Sequence, residues 1–185
     1  MEKQQNFSAS DRSAESKDEK TEIRVIGRGY LSLLLRVLLV ALFVFLLFTK
    51  VFLIARVSGN EMFPAVKDGD LVLAFRLQRD YAKNDVVVYE WENEKKIGRV
   101  AALEGDVVTL DDSGALTVNG TLQSGEILFP TDGKEKLFYP YKVPAGSVFL
   151  LGDHRGEAQD SRDYGSVSLE KVEGKVITLL RRRGI

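Results

Sequence analysis

The chain has 185 residues, with 26 Lys and Arg against 27 Asp and Glu, so its formal net charge is −1. This balance excludes a strongly basic nucleic-acid-binding protein, and we expect no nucleic acid among its partners. A hydrophobic content of 44% excludes wholesale disorder, while the lack of cysteine excludes disulfides, thiol nucleophiles and zinc–thiolate sites. A single histidine argues against a multi-histidine centre, so we expect no metal site and no cofactor.

Residues 1–29 are predicted to form a polar tail. The first 22 contain six acidic residues, three Lys and one Arg among Ser, Gln, Asn and Thr, with Phe7 as the one aromatic. Such a composition offers little that could enter a hydrophobic core.

Residues 30–55 are predicted to form a transmembrane helix. The run Val37–Thr49 has no charged residue, and apolar residues continue on both sides of it. Together they exceed the roughly 20 residues that a helix needs to cross about 30 Å of hydrocarbon. Basic residues are balanced on its two sides, so the positive-inside rule does not orient it.

Residues 56–185 are predicted to form a mainly β domain. Short apolar runs alternate with turn sequences, and no long helical period is present. Two hairpin turns are predicted, at Asp111–Gly114 and at Asn119-Gly120. The predicted strands are Leu71–Phe75, Val86–Trp91, Gly98–Leu103, Val107–Leu110, Leu116–Val118, Val148–Leu151 and Val176–Leu179.

Two segments contain the candidate functional residues. Gly59–Pro64 follows the span and precedes the first predicted strand, and its Met and Phe are alternatively core residues or an apolar surface near the bilayer. Gly152–Gly165 follows a predicted strand and is rich in Asp and Arg. Bidentate Asp–Arg pairs can fix such a loop without any catalytic role. The structural candidates there are Asp153, Arg155, Asp160, Ser161 and Arg162.

These motifs, in this order, resemble those of the type I signal peptidase family. Gly59–Pro64 is similar to the family's Gly-x-Ser-Met-x-Pro motif, and Gly152–Gly165 to its Gly-Asp-Asn-Arg motif. Between them, Asp85–Tyr89 is similar to an Asp-Val-Val-Val-Tyr strand and Gly98–Asp106 to a Lys-Arg motif that ends in Gly-Asp. The resemblance implies a signal peptidase I-like β domain outside the cytoplasm, with one N-terminal transmembrane helix and an insertion at about 111–144.

The chain departs from this family at the catalytic positions. The resemblance implies a Ser nucleophile and a neutral Lys base, but Glu61 and Gly98 stand at these positions, and Ala158 replaces a supporting Ser. A carboxylate cannot form the serine acyl-enzyme and glycine cannot accept a proton, so we expect no catalytic residue. A relocated Ser58/Lys96 pair is the alternative, because Lys96 lies two residues before Gly98 and shares its strand face.

The resemblance also implies a partner. In the family an extended signal peptide adds to strand edges, which requires no catalysis, and the peptide-binding candidates are Gly59, Asn60, Met62, Phe63 and Pro64. At these departures the chain resembles the non-catalytic signal-peptidase-like proteins of Gram-positive pilus systems. The resemblance implies an assembly factor or chaperone in the cell membrane that acts on secreted or pilin precursors, with a pilus sortase as a further partner. A purely structural membrane-surface domain is the remaining alternative. The C-terminal Arg181–Arg183 run is a candidate for contact with anionic lipid.

Overall fold

The computed structural model describes residues 29–123, 131 and 137–181. The chain divides into two compact units, Met1–Leu47 and Phe48–Ile185. Helix α1, Gly29–Val51, has 23 residues and is apolar enough to cross a membrane. At 1.5 Å per residue it is about 35 Å long, which exceeds the thickness of the hydrocarbon layer. Most of the predicted polar tail lies outside the described residues.

The C-terminal bound of the predicted span is wrong. Helix α1 ends at Val51, and Phe52–Arg56 form the first strand, β1. Leu53 and Ala55 enter the core from one face of β1, while Ile54 on the other face is exposed. Because both faces of β1 are apolar, its sequence continues the apolar run of the helix, and composition alone does not separate the two.

Among the described residues, a seven-stranded antiparallel sheet forms most of the second unit. The strands after β1 are β2 (Leu71–Phe75), β3 (Val86–Trp91), β4 (Glu94–Ala102), β9 (Ser147–Leu151), β10 (Val167–Ser168) and β11 (Val172–Leu180). They pair in the order β1-β2-β11-β3-β4-β9-β10, so β11 lies between β2 and β3, and β1 and β10 are the edge strands of this described sheet.

A four-stranded antiparallel sheet is inserted between β4 and β9. Its order is β7-β6-β5-β8, with β5 (Val107–Leu110), β6 (Leu116–Val118), β7 (Thr121–Leu122) and β8 (Tyr141–Lys142). Both predicted hairpin turns occur here: Asp111 Oδ1 accepts from the N–H groups of Ser113 and Ala115, and Asn119 and Gly120 have positive φ. The small sheet begins before the predicted insertion bound of 111, and residues 124–130 and 132–136 of that insertion lie outside the described part.

Among the described residues, three groups of buried side chains hold the second unit together. The first lies on β1, β2 and the turn between them and includes Val88 of β3. The second lies on the other face of β3, with residues of β9 and β11. The third joins the two sheets, because Ala101 and Phe149 of the large sheet pack with Val108 and Leu116 of the small one. The mainly β class is therefore confirmed, and β2, β3, β5 and β6 have the predicted bounds.

Candidate functional site

The turn Gly59–Pro64 connects β1 to the segment before β2. Gly59 has a φ of +86°, which favours glycine, and its N–H donates to Asp68 Oδ1 at 3.0 Å. Met62 is only 2% exposed and packs in the first core group, so it anchors the turn instead of forming an apolar surface near the bilayer. The neighbouring Glu61 keeps 30% of its side chain exposed.

Glu61 is paired with Lys96. Its Oε1 lies 3.4 Å from Lys96 Nζ, and Lys96 is partly buried on β4 opposite Tyr89 of β3. Reduced solvent screening strengthens such a pair relative to one on the open surface. The position that we expect to correspond to the nucleophile thus carries a carboxylate that is already paired with Lys96. Sequence reasoning identified both residues but did not predict their contact, because 35 residues separate them along the chain.

Gly98 lies in the interior of β4, paired with Val87 of β3. A Cβ placed on Gly98 would be 3.2 Å from Tyr89 Cε1 and 3.4 Å from Leu150 Cβ. These distances are at or below the close end of ordinary van der Waals contact, so the surrounding side chains fit a glycine closely. Position 98 supplies no proton acceptor, and a longer side chain there requires Tyr89 to move.

Tyr89 is buried and paired with the partly buried Tyr164. Its hydroxyl lies 2.7 Å from that of Tyr164, whose ring stacks on Trp91. Burial raises the pKa of Tyr89, the hydrogen bond from Tyr164 opposes this, and the negative charge of Glu61 raises the pKa further. Burial also raises the pKa of Tyr164. Both phenols are therefore neutral at physiological pH, and neither is a base.

The loop after β9 packs directly on the Glu61 turn. The His154 N–H donates to the Glu61 carbonyl at 2.9 Å, and a Cβ on Gly152 would be 2.6 Å from that same carbonyl oxygen. The Gly152 Cβ would also overlap with the Cβ of Ala158, which is fully buried. Only a glycine allows this approach. The structure thus brings Ala158 and Glu61, two positions at which the resemblance implies other residues, to either side of one glycine.

Asp160 and Arg162 form a buried pair in the same loop. Both side chains are almost completely buried, and Arg162 Nε lies 2.9 Å from Asp160 Oδ1. Asp160 is also the N-cap of the short helix α2 (Ser161–Tyr164) and accepts from the Gly152 N–H at 3.0 Å. Ser161 Oγ accepts from the Leu150 N–H at 2.9 Å. These side chains therefore join the loop to β9.

The other two charged candidates do not pair with each other. Asp153 makes a bidentate pair with Arg99 of β4 at 2.8 and 2.6 Å. Arg155 is 3% exposed and donates to Thr131 Oγ1 and Gln123 Oε1 at 3.3 and 3.4 Å. Burial, followed by repulsion from Arg162, lowers the pKa of Arg155 to about 10. The pairing of Asp153 with Arg99 was not predicted from the sequence.

A groove of about 140 Å³ runs beside the Glu61–Lys96 pair. One wall is residues 55–59, which are the end of β1 and the three residues after it. The other wall is residues 94–97 of β4. Among the predicted peptide-binding residues, Gly59 and Met62 line this groove. Phe63 instead packs against the ring of His154. Ser58 and Lys96, the relocated pair considered as an alternative, both line the groove.

Within residues 29–123, 131 and 137–181, no group of three or more His, Cys, Asp or Glu side chains is arranged to hold a metal ion.

Comparison with known proteins identifies the family. The sequence pattern described as signal peptidase, peptidase S26, matches residues 30–180. Signal peptidase I of Bacillus caldolyticus is 30% identical over 136 residues, covering 65% of this chain and 74% of the relative. Signal peptidase I of Bacillus licheniformis is 31% identical over 133 residues, covering 64% and 70%.

Two further matches have slightly lower sequence identity. Thylakoidal processing peptidase 1 of Arabidopsis thaliana is 28% identical over 137 residues, which are 65% of this chain, and the match spans only 39% of that relative. A crystal structure of signal peptidase I from Enterococcus faecalis is 25% identical, covers 54% of this chain and 97% of that chain, and superposes with a TM-score of 0.45. The chain belongs to the signal peptidase family, peptidase S26, with a mainly β domain anchored by one N-terminal apolar helix.

Proposed function

We propose that this chain is a non-cleaving member of the signal peptidase family that binds an extended segment of a secreted precursor protein. Its place is the cell membrane, crossed once by α1, with the β domain outside the cytoplasm. The observation that carries the proposal is the state of the two catalytic positions: Glu61 is held by Lys96, and Gly98 is enclosed by Tyr89 and Leu150.

Neither position can perform its part of acyl transfer. The family mechanism needs a hydroxyl that attacks the scissile carbonyl and a neutral amine that removes its proton. Glu61 has no hydroxyl, and an anhydride formed by its carboxylate would not be the family's acyl-enzyme. Gly98 has no amine. Loss of one part of such a unit already removes most of the rate enhancement, so loss of both leaves no family mechanism.

Peptide binding requires only an edge strand and an adjoining groove, and the described residues provide both. β1 is an edge strand among the described residues, and its continuation forms one wall of the groove. An edge strand offers unpaired N–H and C=O groups to an extended peptide, which can add as a further strand. Signal peptides are extended where the family cleaves them, so the groove suits the same class of segment without cleaving it.

We extend the proposal to pilin precursors of sortase-dependent pili as the bound proteins and to a pilus sortase as the enzyme served. This step is supported only by the likeness of the departures at Glu61 and Gly98 to those of signal-peptidase-like pilus assembly proteins. Its test is selectivity: the chain should capture a pilin precursor more tightly than an unrelated secreted preprotein. Equal capture of the two would remove the pilus assignment and leave the general proposal standing.

The deciding experiment measures cleavage and capture together. The full chain in liposomes is incubated with a radiolabelled precursor, beside an active signal peptidase I as the positive reference. We expect no cleavage, but capture that is weakened at least tenfold by Ser58→Trp, because an indole would fill most of the groove. Asp112→Trp, on an exposed hairpin turn, is the matched control and should capture normally.

Cleavage by the natural sequence would contradict the proposal, and so would capture that Ser58→Trp leaves unchanged. A Glu61→Ser/Gly98→Lys variant completes the set. Cleavage gained by that variant would show that the nucleophile at position 61 and the base at position 98 are all that the natural chain lacks for cleavage. The ring of Tyr89 must move to admit the lysine, so Tyr89→Ala is added to the same variant.

A second candidate is an active peptidase that uses Ser58 and Lys96. The observation in its favour is that both residues line one groove. Against it, Lys96 Nζ contacts the Glu61 carboxylate, whereas a general base must contact the hydroxyl that it deprotonates. This candidate requires that the natural chain cleaves and that Ser58→Ala and Lys96→Met each abolish cleavage.

A further inference from the structure

Three strands of the large sheet present an apolar outer face. Residues paired in register across β1, β2 and β11 form rows whose side chains share one face. The exposed fractions of Ile54, Leu71 and Leu180 are 57%, 40% and 60%. Exposed apolar side chains that adjoin one another in this way mark a contact surface. The rows are Arg56–Leu71–Leu180, Ile54–Leu73–Thr178 and Phe52–Phe75–Lys175.

Two arginines stand at one end of this face. Arg56 and Arg181 line an open cavity of about 390 Å³ together with Gly69, Leu71 and Leu180. Arg181 is held by Asp70 Oδ2 at 3.5 Å and donates to the Ala65 carbonyl at 3.1 Å, yet 48% of its side chain is exposed. Arg56 is exposed, and no carboxylate of the described residues lies within ion-pair distance of it.

The surroundings of the two arginines indicate which anion they suit. Guanidinium groups bind phosphate in bidentate geometry. A soluble phosphate would gain nothing from the exposed leucines between them, whereas an amphiphile would use both. Residues 56–185 carry 18 basic and 21 acidic residues, 18 − 21 = −3, so an anionic ligand is attracted by this local arrangement and not by the charge of the whole domain.

Arg56 is close along the chain to the end of the apolar helix. β1 begins at Phe52, the residue after the last residue of α1. Successive Cα atoms are about 3.8 Å apart, and Arg56 is at most about 14 Å further along the strand. A membrane crossed by α1 would therefore present lipid headgroups to Arg56 at a high local concentration.

We propose that Arg56 and Arg181 bind the phosphate of an anionic phospholipid, while Leu71 and Leu180 contact its acyl region. This site is separate from the catalytic positions, and it rests on the membrane crossing proposed for α1 but not on the proposed peptide binding. Each basic residue near an anionic surface contributes about 1 kcal/mol, which corresponds to roughly a fivefold change in affinity.

The test uses the lack of cysteine in the chain. Leu180→Cys is introduced into the full-length protein, which is placed in nanodiscs of phosphatidylcholine or of phosphatidylcholine with phosphatidylglycerol. The rate of reaction with a soluble maleimide is then measured. We expect the reaction to be at least fivefold slower with phosphatidylglycerol. Leu122→Cys on β7, whose leucine is 57% exposed in the natural chain, is the control and should react equally in both.

Arg181→Gln in the Leu180→Cys background should restore most of the reaction rate. It is tested alone because Arg56 also lines the peptide groove. In detergent, a short-chain phosphatidylglycerol should protect the cysteine and inorganic phosphate should not. Three results would overturn the proposal: equal reaction rates in the two lipids, protection that Arg181→Gln leaves unchanged, or protection by inorganic phosphate alone.

Discussion

At the scale of single residues, the loop after β9 depends on one buried carboxylate. Asp160 accepts hydrogen bonds from Arg162, from the Gly152 N–H and from the N-terminus of α2. A buried pair contributes little compared with well-packed apolar residues, but removal of one partner leaves an uncompensated charge. Asp160 therefore matters chiefly because Arg162 is fully buried beside it.

We predict that Asp160→Ala lowers the free energy of unfolding by about 3–5 kcal/mol, because it isolates the Arg162 guanidinium and removes a helix cap. Thermal unfolding of the full chain in detergent, followed by circular dichroism, measures the loss. Asp112→Ala is the control, since Asp112 is exposed in a hairpin turn. An equal melting temperature for the two variants would contradict the prediction, because it would mean that another negative group compensates the charge of Arg162.

At the scale of structural elements, regular strands were predictable and close contacts between loops were not. β2 and β3 were predicted to the residue, because apolar side chains fill them and turn residues bound them. The two-residue strands β7, β8 and β10 are too short to give a pattern.

The same limit applies to the site. The sequence identified Glu61, Lys96 and Gly98, but their surroundings depend on residues distant along the chain. The partner of Glu61 lies 35 residues away, and that of Asp153 is Arg99, 54 residues away. The pairing of β3 with β4 sets Lys96 opposite Tyr89. From there its side chain reaches Glu61 in the turn Gly59–Pro64. The secondary-structure propensity of a short segment does not predict contacts between residues that are distant along the chain.

The loop between β9 and α2 offers a matched pair of glycines. We predict that Gly152→Ala lowers the free energy of unfolding by about 1–3 kcal/mol, the usual range for overpacking, because its Cβ would meet the Glu61 carbonyl at 2.6 Å. Gly156→Ala, four residues later, has no atom within 4 Å of its Cβ and should be neutral. Urea denaturation of both variants provides the comparison. Equal midpoints would contradict the prediction, because they would mean that the loop accommodates the added Cβ without a loss of stability.

At the scale of the whole molecule, the two sheets share a core. Phe149 of β9 is fully buried among residues of the large and the small sheet, and its ring lies 5.6 Å from that of Tyr141 on β8. In the part of the chain that the structure describes, the small sheet has four strands, two of them with two residues, so it has little core without Phe149 and its neighbours. We infer that the two sheets unfold together.

This inference gives a prediction about hydrogen exchange. Phe149→Ala should lower the free energy of unfolding by about 3–5 kcal/mol, and amides of β3 and β5 should lose protection by the same factor, because one cooperative transition exposes both. Leu122→Ala, at an exposed position of the small sheet, is the control and should change neither. Faster exchange confined to β5 and β6 would instead show that the small sheet opens by itself, which would make it a separate cooperative unit on the frame that carries the groove.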